Sequence, residues 1–115
     1  MAEFYDDLET RDPEVRERAA FKAIANQIKH AKARAPYFKN VLADIEPQDI
    51  VDRTTFARVP VTRKSDLVNI QSPGNPLGGL AALAPGKLLR IFQSPGPTYD
   101  AEGFGLDWWG TARAL

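Results

Sequence analysis

A chain of 115 residues has room for one modest domain or part of one, because two separate cores would not fit in that length. With 43% hydrophobic and 26% charged residues it lies away from the compositions that stay disordered, and fifteen Lys plus Arg against fifteen Asp plus Glu supply no global field to gather nucleic acid or an anionic membrane. The absence of cysteine excludes disulfides, zinc-thiolate and iron-sulfur sites and a thiol nucleophile.

The opening MAEFYDDLET is acidic and lacks the basic and apolar regions of a secretory signal. No apolar run approaches the ~18 residues of a spanning helix, so the expected location is cytoplasmic. All eight glycines fall between Gly74 and Gly110, and prolines crowd between Pro73 and Pro97. The expected organisation is a helical subdomain over 1–72, followed by a turn-rich segment over 73–115 with one strand and the start of a helix.

In chain order, Asp12-Pro13-Glu14 marks a helix start: the Asp carboxylate accepts from free backbone N–H groups, and proline at the first helical position loses no bond. Phe21, Ile24, Ile28, Ala31 and Ala35 recur at helical spacing, with Arg18, Lys22, Asn26 and Lys29 opposite. Pro36 ends this helix by biasing Ala35 away from helical geometry. Tyr37, Phe38, Val41 and Leu42 form a short second helix packed back on the first. Pro47 to Arg58 reads as another helical piece carrying Ile50, Val51 and Phe56 inward. Val59-Pro60-Val61 is extended, Thr62 stands at an N-cap position, and a helix from Arg63 to about Ile70 follows, with Asp66 in its first turn. Leu88 to Phe92 is the one convincing strand, ended by Ser94-Pro95-Gly96-Pro97. Asp107 is expected to cap a last helix with Trp108, Trp109, Ala112 and Leu115 as its apolar stripe. The chain stops inside that helix, as a truncated piece would. The fold class expected is therefore mainly α with a small β element.

Few residues stand out chemically. His30 has Asn26, Gln27, Ala33 and Arg34 at helical neighbour positions, so it gains no second metal ligand and reads as a solvated histidine. Lys22, Lys29, Lys32, Arg34 and Lys39 form a basic block without an acid between them. Tyr37 and Phe38 are too few aromatics to make it a single-strand nucleic-acid platform, and a solvated helix face is the reading. Asp6 and Asp7 read as surface charge rather than a cation site. Adjacent Trp108 and Trp109 diverge by roughly 100° on a helix, so only one of them faces the core. The segment Gln93 to Tyr99 is a strand followed by a glycine turn, a setting in which backbone N–H groups can cradle phosphate. No Gly-Lys-Ser/Thr follows it, so it is no Walker loop, and an ordinary proline turn is the alternative.

The order of these features resembles the N-terminal part of phenylacetate-CoA ligases, members of the AMP-dependent synthetase and ligase superfamily. Tyr5 near an acidic start, the helix ending in Ala35-Pro36-Tyr37-Phe38-Lys39, the run Val59-Pro60-Val61-Thr62-Arg63-Lys64-Ser65-Asp66-Leu67, and a strand entering a serine-glycine turn carry the likeness, which spans Tyr5 to Leu115. The run from Val59 is its most specific piece, matching L-P-x-T-x-K-x-D-L except at the first position. The resemblance implies the N-terminal helical subdomain of a larger α/β adenylate-forming ligase. Such an enzyme uses ATP and Mg2+ to activate an aryl or related carboxylic acid as an acyl-adenylate and passes the acyl group to coenzyme A. The adenine-binding regions, the catalytic lysine and the mobile C-terminal domain would lie beyond Leu115, so the isolated chain is expected to be inactive, to need no cofactor, and to have the remainder of the ligase as partner, with a homodimer formed through the helical part.

The family's S-S-G-T-T-G phosphate loop aligns with Ser94 to Tyr99. Ser94, Gly96 and Thr98 match it and are the implied nucleotide-binding residues; Pro95, Pro97 and Tyr99 depart from it. Each proline removes an N–H donor, and the tyrosine adds bulk where phosphate would approach. The competing expectation, from another class, is a free-standing helical interaction module using the Trp108/Trp109 end and the helix from Pro13.

Overall fold

The computed structural model describes residues 3–113. The chain runs α1 (Pro13–Arg34), α2 (Pro36–Val41), α3 (Arg53–Phe56), α4 (Lys64–Ile70), β1 (Arg90–Ser94) and β2 (Thr98–Glu102), with single 3-10 turns at Pro47–Asp49, Pro85–Lys87 and Thr111–Arg113. Among the described residues it is mainly helical, with one two-stranded antiparallel sheet.

α1 begins where Asp12 accepts from the N–H groups of Glu14 and Val15 at 2.9 and 3.1 Å. It ends where Ala35, ahead of Pro36, turns extended with φ −112° and ψ 114°. Its Phe21 and Ile28 join Leu42, Ile45 and Ile50 in a buried cluster, with Ile24, Ala31, Phe38 and Val59 packed against it. Burying these side chains stabilises the helical half by roughly 1.5–3 kcal/mol each. Lys32 departs from the expected solvated face. It folds over the end of the α2 region, donating to the carbonyls of Ala43 and Ile45 and pairing with Glu46 at 3.9 Å.

The stretch expected as one helix from Pro47 to Arg58 is split. Asp52 serves better as a cap than as a helix-interior residue: it accepts from Thr55 N–H at 2.8 Å while the Thr55 hydroxyl accepts from the Asp52 N–H. That starts α3 afresh. Ile50 is buried as expected, but Val51 is 63% exposed and Phe56 reaches inward only by its edge on Phe21, ring centres 6.3 Å apart. α4 likewise starts one residue late, with Arg63 rather than Thr62 at the cap position and no side-chain cap.

Residues 71–80 strap α4 to the start of α2. Tyr37 N–H, unpaired within its own helix, donates to Gly79 O at 3.0 Å. Gly78 has φ +62°, and a Cβ there would fall 2.6 Å from Ile70 Cγ2, so this approach requires glycine.

The strand lies two residues later than its apolar content suggested, and it has a partner that the composition hid. Pairing runs outward from the turn in the register Ser94–Thr98, Phe92–Asp100, Arg90–Glu102. The three-residue connection fixes which residues can pair; Leu88 and Leu89 fall outside the five-residue ladder. β2 is polar at Asp100 and Glu102, which disguised it. Glu102 is nonetheless buried, because Arg90 clamps its carboxylate with two hydrogen bonds at 2.8 and 3.1 Å.

The expected last helix does not form. Gly110 takes φ +66° and Asp107 φ +48°, so the backbone turns at 107–110 before a short 3-10 turn begins. Asp107 still caps, accepting from Thr111 and Ala112 N–H at 2.8 and 3.1 Å. Trp108 and Trp109 therefore share no helical stripe: Trp109 stands edge-on to Phe92 at 6.0 Å, while Trp108 lies over Gly103. Leu115 lies outside the described residues.

The radius of gyration, 16.5 Å, exceeds the roughly 13 Å of a compact chain of this length. The accessible surface of 8819 Å² likewise exceeds the roughly 6,200 Å² expected. The excess has a source in the fold: the hydrophobic core belongs to the α1 to α3 part of the chain, and among the described residues no comparable buried cluster lies beneath the hairpin.

Candidate functional site

The β1–β2 turn collects the three residues singled out by sequence. Ser94 closes β1, Gly96 sits at the apex of Pro95-Gly96-Pro97 with φ +150°, a region that favours glycine, and Thr98 opens β2. The Ser94 and Thr98 hydroxyls hydrogen-bond each other at 2.8 Å, with Thr98 buried. The Gly96–Pro97 peptide is cis.

α4 packs against this turn and supplies its cation. Lys64 Nζ donates to Ser94 Oγ at 3.2 Å. One turn further along the helix, Val68 reaches Gly96: a Cβ built there would lie 3.9 Å from Val68 Cγ2. At the C-cap, Gln71 closes the contact. Its Nε2 donates to Tyr99 O and its Oε1 accepts from Tyr99 N–H, both at 2.8 Å. Lys64, Val68 and Gln71 follow helical spacing, so one face of α4 reads the whole turn from Ser94 to Tyr99.

The donors available to an anion here are few. Pro95 and Pro97 contribute no N–H, Tyr99 N–H is taken by Gln71, and the Ser94–Thr98 pair belongs to the ladder. What remains among the described residues is the Gly96 N–H, one hydroxyl hydrogen of the Ser94–Thr98 pair and the Lys64 ammonium. Such a set offers one charge-assisted contact and two neutral ones, a lighter grip than a run of successive backbone donors.

Beside the hairpin lies a cleft of about 610 Å³, walled by α1, α4, residues 77–83, β2 and the tryptophans, with Ala31, Leu67, Leu80, Leu83 and Trp108 on its apolar sides. His30 and Asp100 border it, and both are exposed. Across the hairpin, the hydrogen bonds from Arg90 hold the Glu102 carboxyl below the usual carboxylate range, against the opposing effect of burial. Among the described residues no group of three or more His, Asp or Glu side chains converges to hold a metal ion, and no helix is long and apolar enough to cross a membrane.

Sequence reasoning passed over Gln71 and Glu102. A glutamine at a helix end carries no signature of its own. An alternation Thr98-Asp100-Glu102 on one face signals a solvated strand edge unless the arginine opposite is known. Lys64 was visible within the Val59 to Leu67 run, but nothing local indicated that it would meet Ser94.

Compared with known proteins, the chain matches no family model and no curated protein.

Proposed function

We propose that this chain is the N-terminal, mainly helical portion of an adenylate-forming acyl-CoA synthetase of the phenylacetate-CoA ligase kind, with the 94–99 turn at the edge of its nucleotide and acid cleft. The observation that carries the reading is the meeting of the two stretches on which the resemblance rests. The run containing Lys64 and the turn containing Ser94, Gly96 and Thr98 are 30 residues apart in sequence, and they touch through Lys64–Ser94. An acid-activating ligase needs a cation and hydroxyls where the triphosphate departs as pyrophosphate, and this contact supplies both types.

In that enzyme ATP and Mg2+ would be met by this turn together with residues from the remainder of the ligase chain, which would also bind coenzyme A and bring the catalytic lysine. The expanded surface and the thin packing under the hairpin support a segment that packs against more protein. The helical half would supply a homodimer contact. On this reading the isolated chain carries out no chemistry.

The test is acid-dependent exchange of labelled pyrophosphate into ATP. Exchange with phenylacetate and Mg2+ is expected from the longer natural protein that contains this segment, and none from residues 1–115 alone. A natural reading frame that stops at Leu115, or exchange by the short chain, would overturn the proposal. The first outcome favours the second reading, an interaction module, for which the half-exposed Trp108 and Trp109 and the exposed Phe104 and Leu106 speak.

A further inference from the structure

Gln71 is braced on its own side before it reaches the hairpin. Its N–H donates to Leu67 O at 2.8 Å, and its backbone leaves α4 extended, with φ −84° and ψ 110°. A Cβ on Gly78 would fall 3.2 Å from Gln71 Cγ, so the glutamine stem runs against bare backbone of the strap. The carboxamide then holds both backbone groups of Tyr99, whose partner in the ladder is Gln93; the neighbouring pair is Ser94–Thr98. A paired strand does not shift one residue without the next, because the ladder fixes their register. Clamping Tyr99 therefore fixes Ser94 as well.

At the other end of α4 the bond is of a different kind. Lys64 is exposed and reaches Ser94 Oγ at 3.2 Å on a flexible four-carbon stem. The gain from one such bond and the rotamer freedom it removes are of similar size, so Lys64 does not hold its own place. Gln71 makes two part-buried bonds on a stem that is already held. Residues seven apart on a helix stand within about 20° of one face and about 10 Å apart along its axis. The clamp at Gln71 thus sets where Lys64 lies over the turn, while Val68 between them offers Gly96 an apolar surface.

We propose that Gln71 is a positioning residue for the anion-facing set at the turn: by holding Tyr99 it keeps the Lys64 ammonium on Ser94, at the far end of α4. In the ligase of the proposed function, on which the nucleotide part of this inference rests, that set meets the phosphates of ATP. Gln71 acts there through Lys64, since its carboxamide is committed to Tyr99. The grip joins residues 30 apart in the chain, so it exists only while α4 is registered on the hairpin.

The first test uses the 115-residue chain without ligand. Lys64→Ala is expected to shift the amide resonances of Ser94 and Gly96 in the parent. In a Gln71→Leu background, where the ammonium no longer rests on Ser94, the same change is expected to shift them less than about half as far. Equal shifts in the two backgrounds would sink the inference, because Lys64 would then find Ser94 unaided.

The second test uses the longer natural protein and MgATP, read by calorimetry. Lys64→Ala and Gln71→Leu are each expected to raise the Kd about fivefold, and the double variant no further, since both remove the same contact. A residue that only stabilised the fold would lower the melting midpoint and leave the Kd of the folded protein alone. An unchanged Kd in Gln71→Leu, or effects that multiply in the double variant, would overturn the positioning role. If Gln71→Leu fails to fold, Gln71→Glu, which still accepts from the Tyr99 N–H, carries both comparisons with smaller effects in the same direction. A parent that binds no ATP would overturn the ligase reading instead, and the resonance comparison would still decide for or against the positioning of Lys64.

Discussion

Gln71 stands beside Tyr99 as a third strand would. Its carboxamide donates to the Tyr99 carbonyl and accepts from the Tyr99 N–H at 2.8 Å each, so a single side chain at the end of α4 satisfies the outward backbone groups of Tyr99 on β2. This joins the helical half of the chain to the hairpin through a donor and an acceptor set side by side on one carboxamide; asparagine carries the same pair but is one methylene short.

Replacing Gln71 with Leu keeps much of the volume but strands a partly buried N–H and C=O, a loss of about 1–3 kcal/mol. The expected outcome is a lower urea midpoint together with faster hydrogen exchange at the Tyr99 amide. Gln71→Glu should recover only part of the loss, because a carboxylate accepts from the N–H but cannot donate to the carbonyl. Unchanged exchange at Tyr99 in Gln71→Leu would show that the edge is held by something else.

Glu102 gives the hairpin an acid sensitivity. Its folded carboxyl binds a proton less readily than an ordinary glutamate, because Arg90 hydrogen-bonds the charged form. The unfolded state therefore takes up the proton first. This contribution to stability is complete above the ordinary glutamate range, near pH ~4.3, and is lost as pH falls through that range towards the lowered folded value. Thermal melts between pH 7 and pH 3 should show the decline. Glu102→Gln should be less stable than the parent at pH 7 and flatter across the same interval; a parallel pH profile in the variant would remove Glu102 as the cause.

Gly78→Ala is expected to destabilise the chain by about 1–3 kcal/mol, since its φ of +62° disfavours any L side chain and the added carbon would meet Ile70 Cγ2. Gly86→Ala is the control. Nothing lies within 4 Å of its Cβ position, and it should shift the midpoint by no more than a few tenths of a kcal/mol. Equal effects at the two positions would mean that the strap at 71–80 tolerates more movement than the contact at Ile70 implies.

In the longer ligase of the proposed function, replacing Pro95 with Ser and Pro97 with Thr restores two N–H donors at the turn. The expectation is tighter ATP binding, read as a lower Kd by calorimetry, with Lys64→Ala acting in the opposite direction by removing a cation that reaches Ser94. Loss of activity in the proline variants with the fold intact would show that the proline form of the turn is itself required.

The sequence by itself determined the parts governed by local physics. Asp12 with Pro13 starts α1 and Pro36 ends it, and the spacing from Phe21 to Ala35 marks the face that becomes the core, because capping, proline sterics and the 3.6-residue period act within a few residues. Ser94, Gly96 and Thr98 were likewise legible as a turn. What only the tertiary structure decided depends on partners distant in the chain. β2 is a strand because a three-residue turn brings it against β1, and Glu102 is buried because Arg90 lies across from it. The tryptophans part company because Asp107 before them and Gly110 after them both take positive φ, so the backbone turns there instead of continuing as a helix. Lys64 meets Ser94, and Gln71 meets Tyr99, because α4 folds onto the hairpin; side chains 30 and 28 residues from their partners leave no periodic trace in a sequence, since the loop between them is free to close in many ways until packing selects one.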